Sequence, residues 1–132
     1  MSEFVKLSII LNIFLLVGCS NDNLISAIAE TEPVATSGDA ADDPAIVVNF
    51  SNPTQSLIFG TDKRAGVYLY DLSGKKISYA ALGEINNIDV RQADNKIYVA
   101  ASNRTAQSIE FWEFNQQEFF KNIVYSDNFF DL

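Results

Sequence analysis

Leu57-Ile58-Phe59-Gly60-Thr61-Asp62-Lys63-Arg64, preceded by Ala45-Ile46-Val47-Val48 and followed by Val67-Tyr68-Leu69-Tyr70-Asp71, has a counterpart about forty residues further on. The second copy runs Ile88-Asp89-Val90, then Ile97-Tyr98-Val99-Ala100-Ala101-Ser102-Asn103-Arg104, then Ile109-Glu110-Phe111-Trp112-Glu113. Each copy offers a strand, a turn, a mainly apolar strand that closes in a polar-plus-basic tetrad, and a strand alternating aliphatic with aromatic residues. Working outward, strand-like runs fall at residues 45–49, 56–60, 67–72, 76–80, 88–91, 96–101 and 108–114. They are rich in Val, Ile, Tyr and Phe and are punctuated by Asn52-Pro53, Ala65-Gly66, Ser73-Gly74 and Asp94-Asn95. No helical period competes within these runs, so the expected class is all-β and antiparallel.

A repeat of about forty residues, each with several short strands, is the signature of propeller blades. The predicted fold is about two four-stranded antiparallel blades at residues 42–115. The first strands of successive blades line a central channel, so Asp42-Asp43 and Asn86-Asn87, each just ahead of a first strand, become neighbours around the axis. The tetrads at residues 61–64 and 101–104 take equivalent places.

Composition narrows the chemistry. The 132 residues are 48% apolar, enough for a modest core, and contain no histidine. His-dependent acid/base catalysis and Ser-His-Asp or Cys-His arrangements are excluded. A single cysteine, Cys19, excludes disulfides and Cys-based zinc sites within one chain. Carboxylate, amide, lysine and arginine remain, with or without a metal ion. Seventeen acids against nine bases give a net charge of −8, which argues against a nucleic-acid partner. An acidic protein can still meet a polyanion when divalent cations lie between them.

At the other end, residues 7–17 (LSIILNIFLLV) form an apolar run too short to span a bilayer as a helix and of the length of a signal-peptide core. The run closes in Leu16-Val17-Gly18-Cys19, which resembles the bacterial lipobox. The expectation is therefore a signal helix at residues 1–18, acylation at Cys19 and a lipid-anchored, exported protein of the bacterial cell envelope. Residues 19–41 carry Asp22, Glu30, Glu32 and Asp39 and neither Lys nor Arg, and read as a flexible acidic tether.

Four motifs in one order carry a family resemblance: Gly38-Asp39-Ala40-Ala41-Asp42-Asp43-Pro44-Ala45-Ile46, Leu57 to Gly66 leading into Val67, Asn86-Asn87-Ile88-Asp89-Val90-Arg91, and Ala100-Ala101-Ser102-Asn103-Arg104. Together they resemble the N-terminal part of the β-propeller, or alkaline, phytases. The resemblance implies a six-bladed propeller and calcium-dependent hydrolysis of phytate, myo-inositol hexakisphosphate, or another phosphorylated small molecule. It implies Asp42 and Asp43 as calcium ligands, with Asn86, Asn87 and Asp89 as weaker candidates, and Lys63, Arg64 and Arg104 as phosphate contacts. The chemistry is coherent, since hard cations take oxygen ligands and arginine presents a planar fork to phosphate. Taken singly, the same residues read as a turn before proline and a solvated hairpin end; their joint order favours the site.

Two departures stand out. Val47 occupies a position where the family pattern usually has Trp, and six blades need roughly 250–300 residues at this repeat length. The expectation is a truncated copy, inactive alone, or else a non-catalytic calcium- and phosphate-binding lipoprotein or a gene remnant. Residues 116–132 read as a divergent tail whose paired phenylalanines sit awkwardly on a solvated surface, and the open sheet edge invites self-association.

Overall fold

A computed structural model of the chain describes residues 25–123 and 126–131. The signal segment at residues 1–18 and Cys19 lie outside the described residues. Seven strands follow one another: β1 (Ala41–Val47), β2 (Leu57–Asp62), β3 (Gly66–Asp71), β4 (Lys76–Ala80), β5 (Ile85–Ala93), β6 (Lys96–Asn103) and β7 (Ser108–Asn115). They form two antiparallel meanders, one ordered β1-β2-β3-β4 and the other β5-β6-β7. The all-β, two-sheet expectation holds, and all seven strands overlap the expected runs, although β1 and β5 begin at Ala41 and Ile85, ahead of the runs at 45–49 and 88–91. β1 of the first sheet lies against β5 of the second, as the inner strands of adjacent propeller blades do.

The turns follow from their residues. Ala93 pairs with Lys96, so β5 and β6 are joined by the two residues Asp94 and Asn95 at φ 51° and 61°. Two successive positive φ values match the twist of the flanking strands, and Asp and Asn tolerate them. At Gly66, with φ 148°, an added Cβ would stand 2.0 Å from the carbonyl oxygen of Ala80, so only glycine lets β3 begin there.

The core is the seam between the two sheets. Val47, Leu57, Phe59, Val67 and Leu69 from the first meet Ile85, Ile88, Ile97, Val99 and Phe114 from the second, all buried. The second sheet corrects the expectation of a fourth strand. Beyond β7 the chain turns into a short helix, α1 (Gln116–Asn122). Asn115 caps it, its side chain accepting from the amides of Gln117 and Glu118, while Glu118 in the first turn and Lys121 in the last suit the helix dipole.

That helix also overturns the expectation of stranded phenylalanines. Phe119 and Phe129 are 1% and 0% exposed, their ring centroids 6.4 and 5.1 Å from Phe59, and Phe130 stacks on Trp112 at 3.8 Å. The tail fills the wedge between the outer strands of the two sheets. It is fastened to β4 where the carbonyl of Asp127 accepts from the amide of Tyr79 and the hydroxyl of Ser78.

The upstream segment differs from a free tether as well. The amide of Glu32 donates to the carbonyl of Gly74, that of Ala35 to the Tyr68 hydroxyl, and the Thr36 hydroxyl to the Asp62 carboxylate at 2.7 Å. Chain contact with the first sheet therefore starts upstream of Asp42. Low hydrophobicity does not prevent ordering here, because the segment borrows partners from a sheet already formed.

Replacing Phe119 by Ala should cost about 3–5 kcal/mol, the usual range for a buried ring, whereas Phe111→Ala, at a ring 62% exposed, should cost far less. Chemical denaturation of the two variants checks this; equal costs would mean that the tail does not belong to the core.

Candidate functional site

The candidate residues are organised by two β-bulges. In the first sheet Ala41 faces Asp62 and Pro44 faces Gly60, so Asp42 and Asp43 together oppose the single residue Thr61. In the second, Ile85 faces Asn103 and Ile88 faces Ala101, so Asn86 and Asn87 oppose Ser102. The acidic pair and the amide pair are thus not in loops ahead of the strands. They are the extra residues inside β1 and β5, at matching places in each repeat. Bulges bend the strand and re-aim side chains, which is why they gather at rims and sites.

Each bulge leaves an amide off the ladder, and a hydroxyl meets it. The amide of Asp43 donates to Thr61 Oγ1 at 2.8 Å, and the amide of Asn87 donates to Ser102 Oγ at 3.0 Å. Sequence reading missed both hydroxyls. The signal was present, since a hydroxyl residue directly precedes the Asp or Asn that ends the second strand of each repeat.

The two bulges are joined across the seam. Asp43 Oδ2 accepts from the amide of Ile88 at 2.9 Å, and the Thr61 hydroxyl donates to the carbonyl of Asn86 at 3.0 Å. Asp43, Asn87, Asp89 and Ser102 line one open cleft, with Pro44 and Ile109 on its walls. Asp42 lines a second cleft, shared with Asp43, together with Glu32, Pro33, Val34 and Tyr70. Burial pushes the Tyr70 phenol up to about 12, so it stays a neutral donor there.

The basic residues occupy the hairpin ends. The amide of Lys63 bonds the carbonyl of Ala40, and the amide of Arg104 bonds that of Glu84, each one residue before its first strand's pairing starts. This register makes Lys63 the counterpart of Arg104. The tetrads are therefore offset by one residue from the alignment that matched Arg64 with Arg104. Both equivalent cations are paired with acids: Lys63 Nζ lies 2.8 Å from Asp39 and 3.9 Å from Asp42, and Arg104 Nη2 lies 3.1 Å from Glu84. Arg64 is exposed, and no carboxylate pairs with it among the described residues. Asp89 is turned to Arg91, 2.6 Å away, and accepts from its neighbour's amide, so any other role competes with that pair.

For a hard cation the donor type is right and the number is small. Oδ1 of Asn86 is buried without a hydrogen-bond partner, and Asp43 Oδ1 carries no hydrogen bond among the described residues. Among the described residues, no three Asp, Glu, His or Cys side chains gather at metal-binding spacing. A calcium ion takes about six to eight oxygens. The bulges can thus supply one wall of such a site.

The Phytase family profile matches residues 9–129. A 3-phytase of Bacillus subtilis (strain 168) is 41% identical over 86 residues, covering 61% of this chain and 22% of the relative. The chain thus spans about a fifth of the length of that protein.

The Lys63 ion pair holds the Asp39 carboxyl below its ordinary value of 3.8, through its hydrogen bond first and its charge second. A lowered carboxyl favours the folded arrangement above the ordinary carboxylate range and loses that contribution as pH falls through the lowered value. Titration of Asp39 by NMR should give a midpoint below 3.8 that returns to it in Lys63→Met; an unchanged midpoint would show that the pair does not form in solution.

Proposed function

Because the chain belongs to the Phytase family, we propose that it forms part of a phosphomonoester hydrolase site for phytate or a similar phosphorylated small molecule, assisted by calcium. The observation that carries the reading is the matched pair of bulges. They join Asp43 of the first bulge to Ile88 beside the second, with Asp42 and Asn87 the other outlying residues of the two bulges, and each bulge is flanked by an equivalent basic hairpin end.

The residues divide the work by chemistry. Asp43 and Asn86, each with an oxygen not engaged by the protein, would hold a hard cation, with Asp42 and Asn87 next to them on the same bulges. When bound, such a cation lowers the pKa of a water and neutralises phosphoryl oxygens, so no histidine is required. Lys63 offers phosphate a point charge and Arg64 and Arg104 a planar fork. Substrate phosphate must compete with Asp39 for Lys63 and with Glu84 for Arg104, which makes phosphate affinity depend on loosening those pairs. Arg64 has no such competitor among the described residues, so it meets phosphate first.

The small donor count favours binding without turnover by these residues alone. Calorimetry with phytate should show binding that requires calcium and weakens about tenfold in Arg64→Ala, as expected for loss of one charged hydrogen-bonding partner. Binding of equal strength without calcium would contradict the cation role, and calcium-dependent phosphate release by the 132-residue chain would overturn the absence of turnover. The lipobox reading is proposed with it: Cys19 carries the lipid anchor of an exported envelope protein. Acyl label should be lost in Cys19→Ser, and its retention would exclude that attachment.

A further inference from the structure

We propose that Thr61 is a positioning residue whose hydroxyl clamps the two bulges into one site. Thr61 is 2% exposed, stands opposite the first bulge and reaches the second. Its Oγ1 accepts from the amide of Asp43 at 2.8 Å and has two carbonyls within reach of its single proton, that of Asn86 at 3.0 Å and, longer, that of Asp43 at 3.4 Å, so the shorter contact crosses to the second bulge. Among the bulge side chains, Asn86 Oδ1 is buried without a hydrogen-bond partner and Asp43 Oδ1 accepts no hydrogen bond among the described residues. One buried hydroxyl therefore fixes the backbone of both.

The repeat shows that this is more than bulge repair. Ser102 performs the same local task, accepting from the amide of Asn87, yet among the described residues it donates to no second bulge. Of the two hydroxyls, among the described residues, that of Thr61 reaches the other sheet and that of Ser102 does not. A second link runs parallel to it, from the amide of Ile88 in β5 to Asp43 Oδ2. Freeing Asp43 from Thr61 should let its carboxylate swing and break that link too. Valine has nearly the same shape as threonine and neither donates nor accepts, so Thr61→Val removes the clamp and leaves the part-buried amide of Asp43 and carbonyl of Asn86 without that partner.

The clamp stands on geometry; its bearing on cation binding rests on the function proposed above. In the full 132-residue chain without calcium, Thr61→Val should speed hydrogen exchange at the amides of Asp43 and Ile88 about tenfold, the effect of losing roughly one to two hydrogen bonds, while core amides such as Leu69 and Val99 stay at wild-type rates. Thr61→Ser, which keeps the hydroxyl, should restore both. Ser102→Ala should loosen Asn87 and leave Ile88 alone. Should Thr61→Val not fold, Thr61→Ala, which adds no apolar branch, carries the same comparison. Unchanged exchange at Ile88 in the hydroxyl-less variants, or equal loosening in Thr61→Ser, would overturn the clamp. Calcium titration of the same proteins supplies the second readout, with affinity about tenfold weaker in Thr61→Val and restored in Thr61→Ser. A wild-type chain that binds no calcium, with Ile88 exchange still faster in Thr61→Val, would refute the cation reading and support the clamp.

Discussion

The seam between β1 and β5 is the constraint on which the rest of the structure depends. Neither sheet can bury its apolar face alone, since an isolated meander of three or four strands leaves one side to water. Phe59, fully buried in the seam, packs its ring against Phe119 and Phe129 of the tail, some sixty and seventy residues along the chain. Because the first strands face each other there, the irregularities in those strands face each other too. The site follows from the core.

Two irregularities of one kind, in one place in each repeat, argue that the bulges belong to the architecture. Each adds a residue to a first strand, each is answered by a hydroxyl from the second strand, and each stands beside a basic hairpin end already paired with an acid. In the proposed function, an acidic protein thereby offers a polyanion a place without a net positive surface. The negative charge holds its own cations in ion pairs, and an added hard cation would find oxygens that the protein leaves unused.

The strands were legible because β-branched and aromatic alternation, cut by Gly, Asn and Asp, is a local signal. What the sequence concealed was tertiary. Asp42-Asp43 before Pro44 looks like a loop, since a bulge exists only relative to the partner strand that counts one residue fewer. Arg64 and Arg104 look equivalent by eye, whereas the ladder makes Lys63 the partner of Arg104. Phe119 and Phe129 look stranded because their partner, Phe59, lies some sixty residues upstream, although Asn115 followed by Glu118 was a readable helix start. Residues 31–41 have the composition of a disordered tether, and only the docked contacts of Glu32, Ala35 and Thr36 reveal otherwise.

The central proposal is that the two bulges together hold a hard cation. A crystal structure grown with calcium tests it directly. The prediction is a cation in contact with a side-chain oxygen from the first bulge, Asp42 or Asp43, and one from the second, Asn86 or Asn87, at the usual calcium–oxygen distance of about 2.4 Å. Calcium found only at other carboxylates, or at one bulge without the other, would contradict it.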